Sequence, residues 1–110
     1  GATALWDWPA AGGGRPAATV VLVHATGFHA RCWDEVVRCL PEAFRCVCPD
    51  MPGHGQSDTA DSPSWRLAAQ LLLEALADAG VRTGEVAVLA GHSMGGHLCA
   101  RLGAAAAAAA

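Results

Sequence analysis

The chain has 110 residues, of which 53% are hydrophobic and only 15% charged, and its formal net charge is −3. This abundance of aliphatic residues excludes intrinsic disorder, and glycines interrupt the longest apolar stretches before they reach the roughly 20 residues that would span a membrane. Because the chain is acidic and its arginines are dispersed, it also lacks the basic surface that nucleic acids require. We therefore expect one globular domain.

The cysteines suggest a reducing compartment. Their number, five, is odd and no two are spaced as C-x-x-C, so neither a complete disulfide framework nor a zinc or redox pair is predicted. We expect reduced, buried thiols that pack as small hydrophobic residues, which favours a cytoplasmic location. These residues are Cys32, Cys39, Cys46, Cys48 and Cys99. No signal peptide is visible, but the chain begins with Gly1 rather than methionine, so we expect the true N-terminus to lie outside it.

The first half of the chain alternates between predicted strands and one helix. In the leading region, residues 1–18, alternating tryptophans predict a short strand and three consecutive glycines a turn, compatible with an early hairpin. The continuous apolar run 19–23 predicts a strand buried on both faces, followed by a loop of small residues. Trp33, Val36, Val37 and Leu40 mark one face of a helix that Pro41 ends. The next buried strand is predicted at 44–48.

The second half repeats this alternation after a turn-rich loop at 49–57. Ser62 and Pro63 have the residue types of an N-cap and a first helical position, and Gly80 is suited to a left-handed C-cap. Between them runs an apolar helical stripe, which consists of Ala68, Leu71, Leu72, Ala75, Leu76 and Ala79. A third buried strand is predicted at 86–90, then a sharp turn and a helix that starts near Met94.

This order of elements predicts an α/β fold. Strands that alternate with helices imply right-handed crossovers and a parallel sheet with flanking helices. The alanine tract 104–110 is made of strong helix formers, so we expect it to extend the last helix; the alternative is a flexible low-complexity tract.

The strongest chemical signal is Gly91-His92-Ser93-Met94-Gly95, a G-x-S-x-G motif between a predicted strand and a predicted helix. In that context a serine occupies a strained turn, and its hydroxyl stands clear of the sheet as a nucleophile. The flanking glycines lack the Cβ atoms that would collide there, and Gly96 is expected to let the helix approach the sheet. The alternative is an ordinary glycine-rich turn.

Two further loops follow the predicted strands. The small-residue segment His24-Ala25-Thr26-Gly27-Phe28 can direct a backbone N–H towards Ser93, and with the N–H of Met94 it would form an oxyanion hole. A tight loop without catalytic function is the alternative. The segment from Asp50 to Asp58 is interpreted as a structural turn in which Asp and Ser side chains bond to nearby backbone, although it could also border a substrate entrance.

Together these motifs resemble the α/β-hydrolase superfamily. The resemblance runs from about Thr19 to Leu102. It rests on Val-Leu-Val-His-Ala-Thr-Gly-Phe, on Pro-Asp-Met-Pro-Gly-His-Gly-Gln-Ser-Asp and on Gly-His-Ser-Met-Gly-Gly, in that order. Three motifs in the family's order are more specific than any one of them. The chain departs from the family at Ala25, where relatives usually carry glycine.

The resemblance implies roles for three residues. Ser93 matches the nucleophile, Met94 contributes one backbone donor of the oxyanion hole, and Thr26 looks like the other donor, with Phe28 as a weaker substitute. No metal or organic cofactor is implied. A serine rather than an aspartate nucleophile disfavours epoxide-hydrolase and haloalkane-dehalogenase chemistry.

The family's acid and base are not found in their usual place. In the family an Asp or Glu and then a His follow the nucleophile, but only His97 and no carboxylate follows Ser93 here. His24, His54 and His92 are poor replacements, because the first two resemble structural or lining residues and the third neighbours the serine on the turn. We therefore expect residues 1–110 to be the N-terminal portion of a larger domain, with its later strands missing and one bare, apolar sheet edge.

The predicted function of the whole protein is serine-dependent hydrolysis of a carboxylic ester or related small acyl substrate through an acyl-enzyme. This chain alone is expected to be inactive. Two alternatives stay open: acyl transfer or cofactor-free perhydrolysis with the same nucleophile, and a non-catalytic interaction protein on a degenerate hydrolase fold. The oligomeric state is not predicted.

Overall fold

The computed structural model describes residues 3–57 and 64–109. Four strands form one mixed sheet in the order β1-β3-β2-β4; they are β1 (Leu5–Trp8), β2 (Ala18–Val23), β3 (Phe44–Pro49) and β4 (Val86–Gly91). β2 pairs in parallel with both β3 and β4. The three predicted parallel strands are therefore confirmed.

Helices connect these parallel strands. A 3-10 turn at Ala30–Trp33 leads into α1 (Asp34–Cys39), α2 spans Trp65–Asp78, and α3 spans Met94–Ala109. A second 3-10 turn, Thr83–Glu85, precedes β4. The helical part of the alanine tract confirms that it continues the last helix through Ala109.

The sheet has a helical layer on each face because β2 and β3 alternate their side chains between two apolar clusters. The first cluster lies under α2 and α3 and contains Val21, Val23, Val47, Leu72, Leu76, Leu98 and Leu102. The second lies under α1 and contains Val20, Leu22, Cys46 and Cys48, with Trp33, Val37 and Leu40 packed against it. A strand covered on both faces needs apolar residues at successive positions, which explains the uninterrupted run in β2.

Among the described residues, the leading strand does not form the early hairpin. β1 pairs antiparallel with β3, from Leu5 opposite Pro49 to Trp8 opposite Cys46, rather than with the strand that follows it. Because β3 and β4 occupy both edges of β2, β1 extends the sheet at the free edge of β3. There Trp6 and Trp8 cover the second cluster. The glycine-rich turn itself is confirmed, with positive φ at Gly12 and Gly13.

β4 differs from the predicted strand buried on both faces. It lies at the end of the strand order, and Val88 is 48% exposed. Its sequence is as apolar as that of β2, but only β2 pairs with it among the described residues. Such an unpaired apolar edge was expected from the sequence, and it is the reason why the burial prediction for this strand is wrong.

Two details of the helices also differ from expectation. Val36 is 42% exposed, because successive helical residues are rotated by about 100° and this side chain falls at the margin of the face formed by Trp33, Val37 and Leu40. Helix α2 begins at Trp65, with Ser64 as its N-cap accepting from the N–H of Leu67 at 3.1 Å. The predicted capping pair, Ser62 and Pro63, lies outside the described residues.

The remaining helical predictions are largely confirmed. Gly80 has φ 77° directly after the end of α2, as a left-handed C-cap requires. Within the predicted apolar stripe of that helix, four residues are buried, namely Ala68, Leu72, Ala75 and Leu76. No helix in the described ranges is both long and apolar enough to cross a bilayer.

The cysteines are free, as expected, but not uniformly buried. Cys46, Cys48 and Cys99 are buried, whereas Cys32 and Cys39 are exposed. The two exposed thiols lie in the short 3-10 turn and at the last position of α1. This helix presents only one narrow face to the sheet, so the prediction of burial is wrong for these two residues.

The junction between the sheet and α3 depends on contact between backbones. A Cβ atom placed on Gly95 would overlap the carbonyl oxygens of Val23 and His24, and one placed on Gly91 would overlap the backbone of Gly95. The sequence assigned the close approach to Gly96. A Cβ atom placed there would lie 3.5 Å from its nearest neighbour, the carbonyl oxygen of Gly91, which is an ordinary contact. The close approach therefore occurs one residue earlier, at Gly95.

This contact predicts unequal effects of two glycine substitutions in the same helix. Gly95→Ala should lower the free energy of unfolding by at least about 2 kcal/mol, because backbone must move to admit the methyl group. Gly103→Ala, whose Cβ would enter open space, should raise it by about 0.5–1 kcal/mol. Denaturant unfolding of both variants measures the difference, and equal stabilities would contradict the packing described.

Candidate active site

Three loops meet at one end of the sheet because the strands that precede them are parallel. Residues 24–28 follow β2, residues 50–57 follow β3, and residues 92 and 93 join β4 to α3. Val23 is paired with Gly91 at the ends of the two adjacent strands, and the N–H of His92 donates to the carbonyl of Val23 at 3.1 Å. The structure thus brings together the loops that carry Thr26 and Ser93.

Ser93 occupies a strained backbone position. Its φ is 55°, and no other non-glycine residue in the described ranges has a positive φ. An L-residue in this left-handed region costs about 1–2 kcal/mol, so the surrounding contacts must hold it there. Those contacts are the tight glycine packing on either side, at Gly91 and Gly95. The serine is exposed at the turn.

The backbone around Ser93 leaves N–H groups free at the start of α3, that of Met94 among them. Gly95 N–H donates to the carbonyl of His92 and Gly96 N–H to that of Ser93, both at 2.9 Å. No acceptor among the described residues pairs with the N–H of Met94, the first residue of the helix. Unpaired N–H groups at a helix N-terminus attract negative charge, and this one follows the serine directly.

The loop after β2 is a type II β-turn. Phe28 N–H donates to the carbonyl of Ala25 at 3.1 Å, and Gly27, at the third turn position, has φ 87°, which is the value that a type II turn requires there. The N–H of Phe28 is used by the turn itself. In the described part of the chain, no acceptor pairs with the N–H of Thr26, which is therefore the available donor of this loop.

Two histidines connect this turn to the loop after β3. His24 is fully buried; its Nδ1 is 2.7 Å from the carbonyl of Ala25 and its Nε2 accepts from Met51 N–H at 3.0 Å. Burial lowers the pKa of His24, which keeps the ring neutral and able to accept. His54 Nε2 accepts from Gly27 N–H at 3.0 Å. The sequence singled out both histidines without revealing these contacts, since a hydrogen bond to backbone leaves no residue pattern.

Asp50 has the structural role that the sequence suggested. It is buried, and its carboxylate accepts from Ala30 N–H at 2.7 Å and from Gln56 N–H at 2.9 Å. Ser57 Oγ donates to the carbonyl of Asp50 at 2.7 Å. Gly55 lies so close that a Cβ there would overlap this carboxylate. All these contacts shape the loop, and they occupy the carboxylate with backbone donors.

None of the described histidines hydrogen-bonds to the Ser93 hydroxyl. The ring nitrogens of His24 and His54 are occupied by backbone groups, as described above, and His97 Nε2 accepts from Arg101 Nε at 2.9 Å on the outer face of α3. His92 lies beside Phe28, with 6.1 Å between the ring centroids. A base for Ser93 is therefore not assembled within the described ranges.

Buried thiols and clusters of metal-binding side chains are the other groups that could carry chemistry in this fold. Burial raises the pKa of the Cys99 thiol to about 11 and also raises that of Cys46, so these thiols stay protonated and unreactive at neutral pH. Within residues 3–57 and 64–109, no three side chains of the metal-binding types converge on one point. Ser93, by contrast, is exposed at this end of the sheet.

Known proteins share both the fold and parts of the sequence. The pimeloyl-[acyl-carrier protein] methyl ester esterase of Methylococcus capsulatus is 39% identical over 57 residues, which are 52% of this chain and 22% of that protein. A thermophilic esterase from Thermogutta terrifontis superposes with a TM-score of 0.77 at 24% identity, covering 93% of this chain and 35% of that one. A probable hydrolytic enzyme from Pseudomonas aeruginosa gives 0.75 at 27% identity, with coverages of 91% and 31%.

The chain spans about a third or less of the length of these relatives, from 22% to 35%. A profile of the family described as "Alpha/beta hydrolase family" matches residues 20–110, which include most of β2, all of β3 and β4, and the three loops at their ends. The chain belongs to the alpha/beta hydrolase family.

Proposed function

We propose that this chain carries the nucleophile and the oxyanion hole of a serine hydrolase that acts on carboxylic esters or related acyl compounds. The observation that carries the proposal is Ser93 at φ 55° between two glycines that admit no side chain. Structural constraints alone would favour glycine at a left-handed position. A serine held there at an energetic cost, exposed at the carboxyl end of a strand, is what a nucleophile elbow requires.

The oxyanion hole is formed by two backbone donors. Met94 N–H and Thr26 N–H have no acceptor among the described residues, and their loops are joined by the bond from His92 N–H to the carbonyl of Val23. When a carbonyl carbon is attacked at Ser93 Oγ, its oxygen becomes negative and needs donors that are already in place. Phe28 is disfavoured for this role, because its N–H closes the turn.

The reaction proceeds through an acyl-enzyme. Ser93 Oγ forms a bond to the substrate carbonyl carbon as a histidine outside residues 1–110 takes the hydroxyl proton. The tetrahedral intermediate collapses, and the same histidine returns the proton to the departing alcohol. Water, activated in the same way, then releases the acid and restores the serine. Residues 1–110 by themselves are inactive or nearly so in this proposal, since the described residues provide no partner for the hydroxyl.

The residues are proposed to be the N-terminal portion of one larger catalytic domain. Two observations support this: the esterase from Thermogutta terrifontis is covered only to 35% of its length, and β4 has an apolar edge with no strand beside it in the described part of the chain. A methyl ester esterase among the relatives supports an ester as the substrate class. Acyl transfer, perhydrolysis and a non-catalytic role remain the competing functions.

Covalent labelling tests the nucleophile. A fluorophosphonate probe should form a bond from phosphorus to Ser93 Oγ with loss of fluoride, in the protein expressed from its complete reading frame. Ser93→Ala should abolish labelling. The matched control, Ser64→Ala, should label normally, because it removes only an N-cap that contributes about 1 kcal/mol. If peptide mass spectrometry finds Ser93 unmodified, the protein is not a serine hydrolase of this kind.

The oxyanion donor can be removed without changing the turn. Thr26 is the second residue of a type II turn, a position that proline favours, so Thr26→Pro deletes the N–H and keeps the backbone path. We expect kcat for a p-nitrophenyl ester to fall by about 10²–10³, with little change in KM. Thr26→Ala keeps the N–H and should retain nearly full activity. Equal rates for the two variants would exclude Thr26 as a donor.

A further inference from the structure

The central peptide of the turn that carries Thr26 is hydrogen-bonded to a residue outside the turn. In a type II turn the N–H of the third residue is not used by the turn; here that group belongs to Gly27, and it donates to His54 Nε2 at 3.0 Å. His54 lies in the loop after β3, so the bond joins two loops that are far apart in sequence. This contact is separate from the bond that closes the turn, between Phe28 N–H and the carbonyl of Ala25.

The other ring nitrogen fixes the protonation pattern of His54. Nδ1 lies 3.1 Å from the carbonyl oxygen of Pro52, and a carbonyl can only accept. Nδ1 therefore carries the proton in the neutral ring, and Nε2 keeps the lone pair that accepts from Gly27. The ring is also packed against His24, with 5.2 Å between the centroids. His54 is thus held as an acceptor of defined orientation.

This acceptor selects one form of the turn. Types I and II differ by a rotation of the central peptide, which is the peptide between the second and third residues. Only one orientation of that peptide directs Gly27 N–H at the histidine. The same peptide contains the carbonyl of Thr26, so the bond to His54 also restrains Thr26, the residue that provides the oxyanion donor, against movement relative to the loop after β3.

We propose that His54 is a positioning residue for the oxyanion hole: through Gly27 it anchors the turn that presents the N–H of Thr26. The inference rests on the proposed hydrolase function, because it assigns the turn its catalytic use. His54 itself does not touch the substrate. His24 supports the same turn from its other end, by the contact of Nδ1 with the carbonyl of Ala25.

Two amide substitutions separate an acceptor role from simple space filling. In His54→Gln the side-chain oxygen can reach the position of Nε2, whereas in His54→Asn the shorter side chain reaches only that of Nδ1. Both replacements are polar and uncharged, so they differ mainly in whether Gly27 N–H keeps an acceptor. His29→Asn is the matched control, because His29 is exposed and its ring accepts only from Arg31 N–H among the described residues.

The kinetic test uses the protein expressed from its complete reading frame, with rates normalised to fluorophosphonate-labelled sites. We expect His54→Asn to lower kcat at least about tenfold with KM nearly unchanged, since the oxyanion contact forms only in the transition state. His54→Gln should stay within about threefold of wild type, as should His29→Asn. Equal kcat values for the Gln and Asn variants would overturn the positioning role.

An NMR measurement tests the contact without relying on activity. In ¹⁵N-labelled protein, a scalar coupling across the hydrogen bond should connect the Gly27 amide nitrogen to His54 Nε2, and it should vanish in His54→Asn. Absence of the coupling in the wild type would overturn the inference even if the enzyme is active. A wild-type protein that shows the coupling but is not labelled at Ser93 would instead refute the proposed function.

Discussion

The arrangement of the site depends on the contact between the backbone of Gly95 and the carbonyl groups that end β2. This contact sets the distance between α3 and the sheet, and the strained conformation of Ser93 lies within the same turn. A helix that approached less closely would leave the serine free to relax to an ordinary conformation. The absence of a Cβ atom at Gly95 therefore lets α3 pack closely on the first apolar cluster and also holds Ser93 in its strained conformation.

Polar side chains at this end of the sheet mostly stabilise the loops. His24, His54 and Asp50 all bond to backbone N–H groups across the gap between the loops after β2 and β3, so these two loops hold each other in place. Buried backbone groups must find partners, and side chains provide them where strands have ended. Among the N–H groups without an acceptor in the described residues are those of Thr26 and Met94, which belong to the two loops joined by the bond from His92 N–H to the carbonyl of Val23.

The sequence predicted the structure best where a residue type has a single structural role. Apolar runs predicted β2 and β3, and the spacing of glycines around Ser93 predicted the sharp turn. It was less informative where burial depends on distant partners: β1 pairs with β3 instead of β2, and Val88 is exposed because no described strand covers it. The bond from Gly27 to His54 was not foreseen, since its donor is a backbone group that every residue except proline has.

The position of β2 in the sheet also determines the order in which the site can be assembled. Thr19 pairs with Arg45 on one side and with Val86 on the other, and closing the longer loop carries the larger entropic cost. A nascent chain that has emerged through β3 already contains both partners of the contact between Gly27 and His54. The strand that delivers Ser93 is synthesised later, and it docks on the remaining edge of β2. During synthesis Ser93 therefore joins two loops whose residues have already emerged from the ribosome.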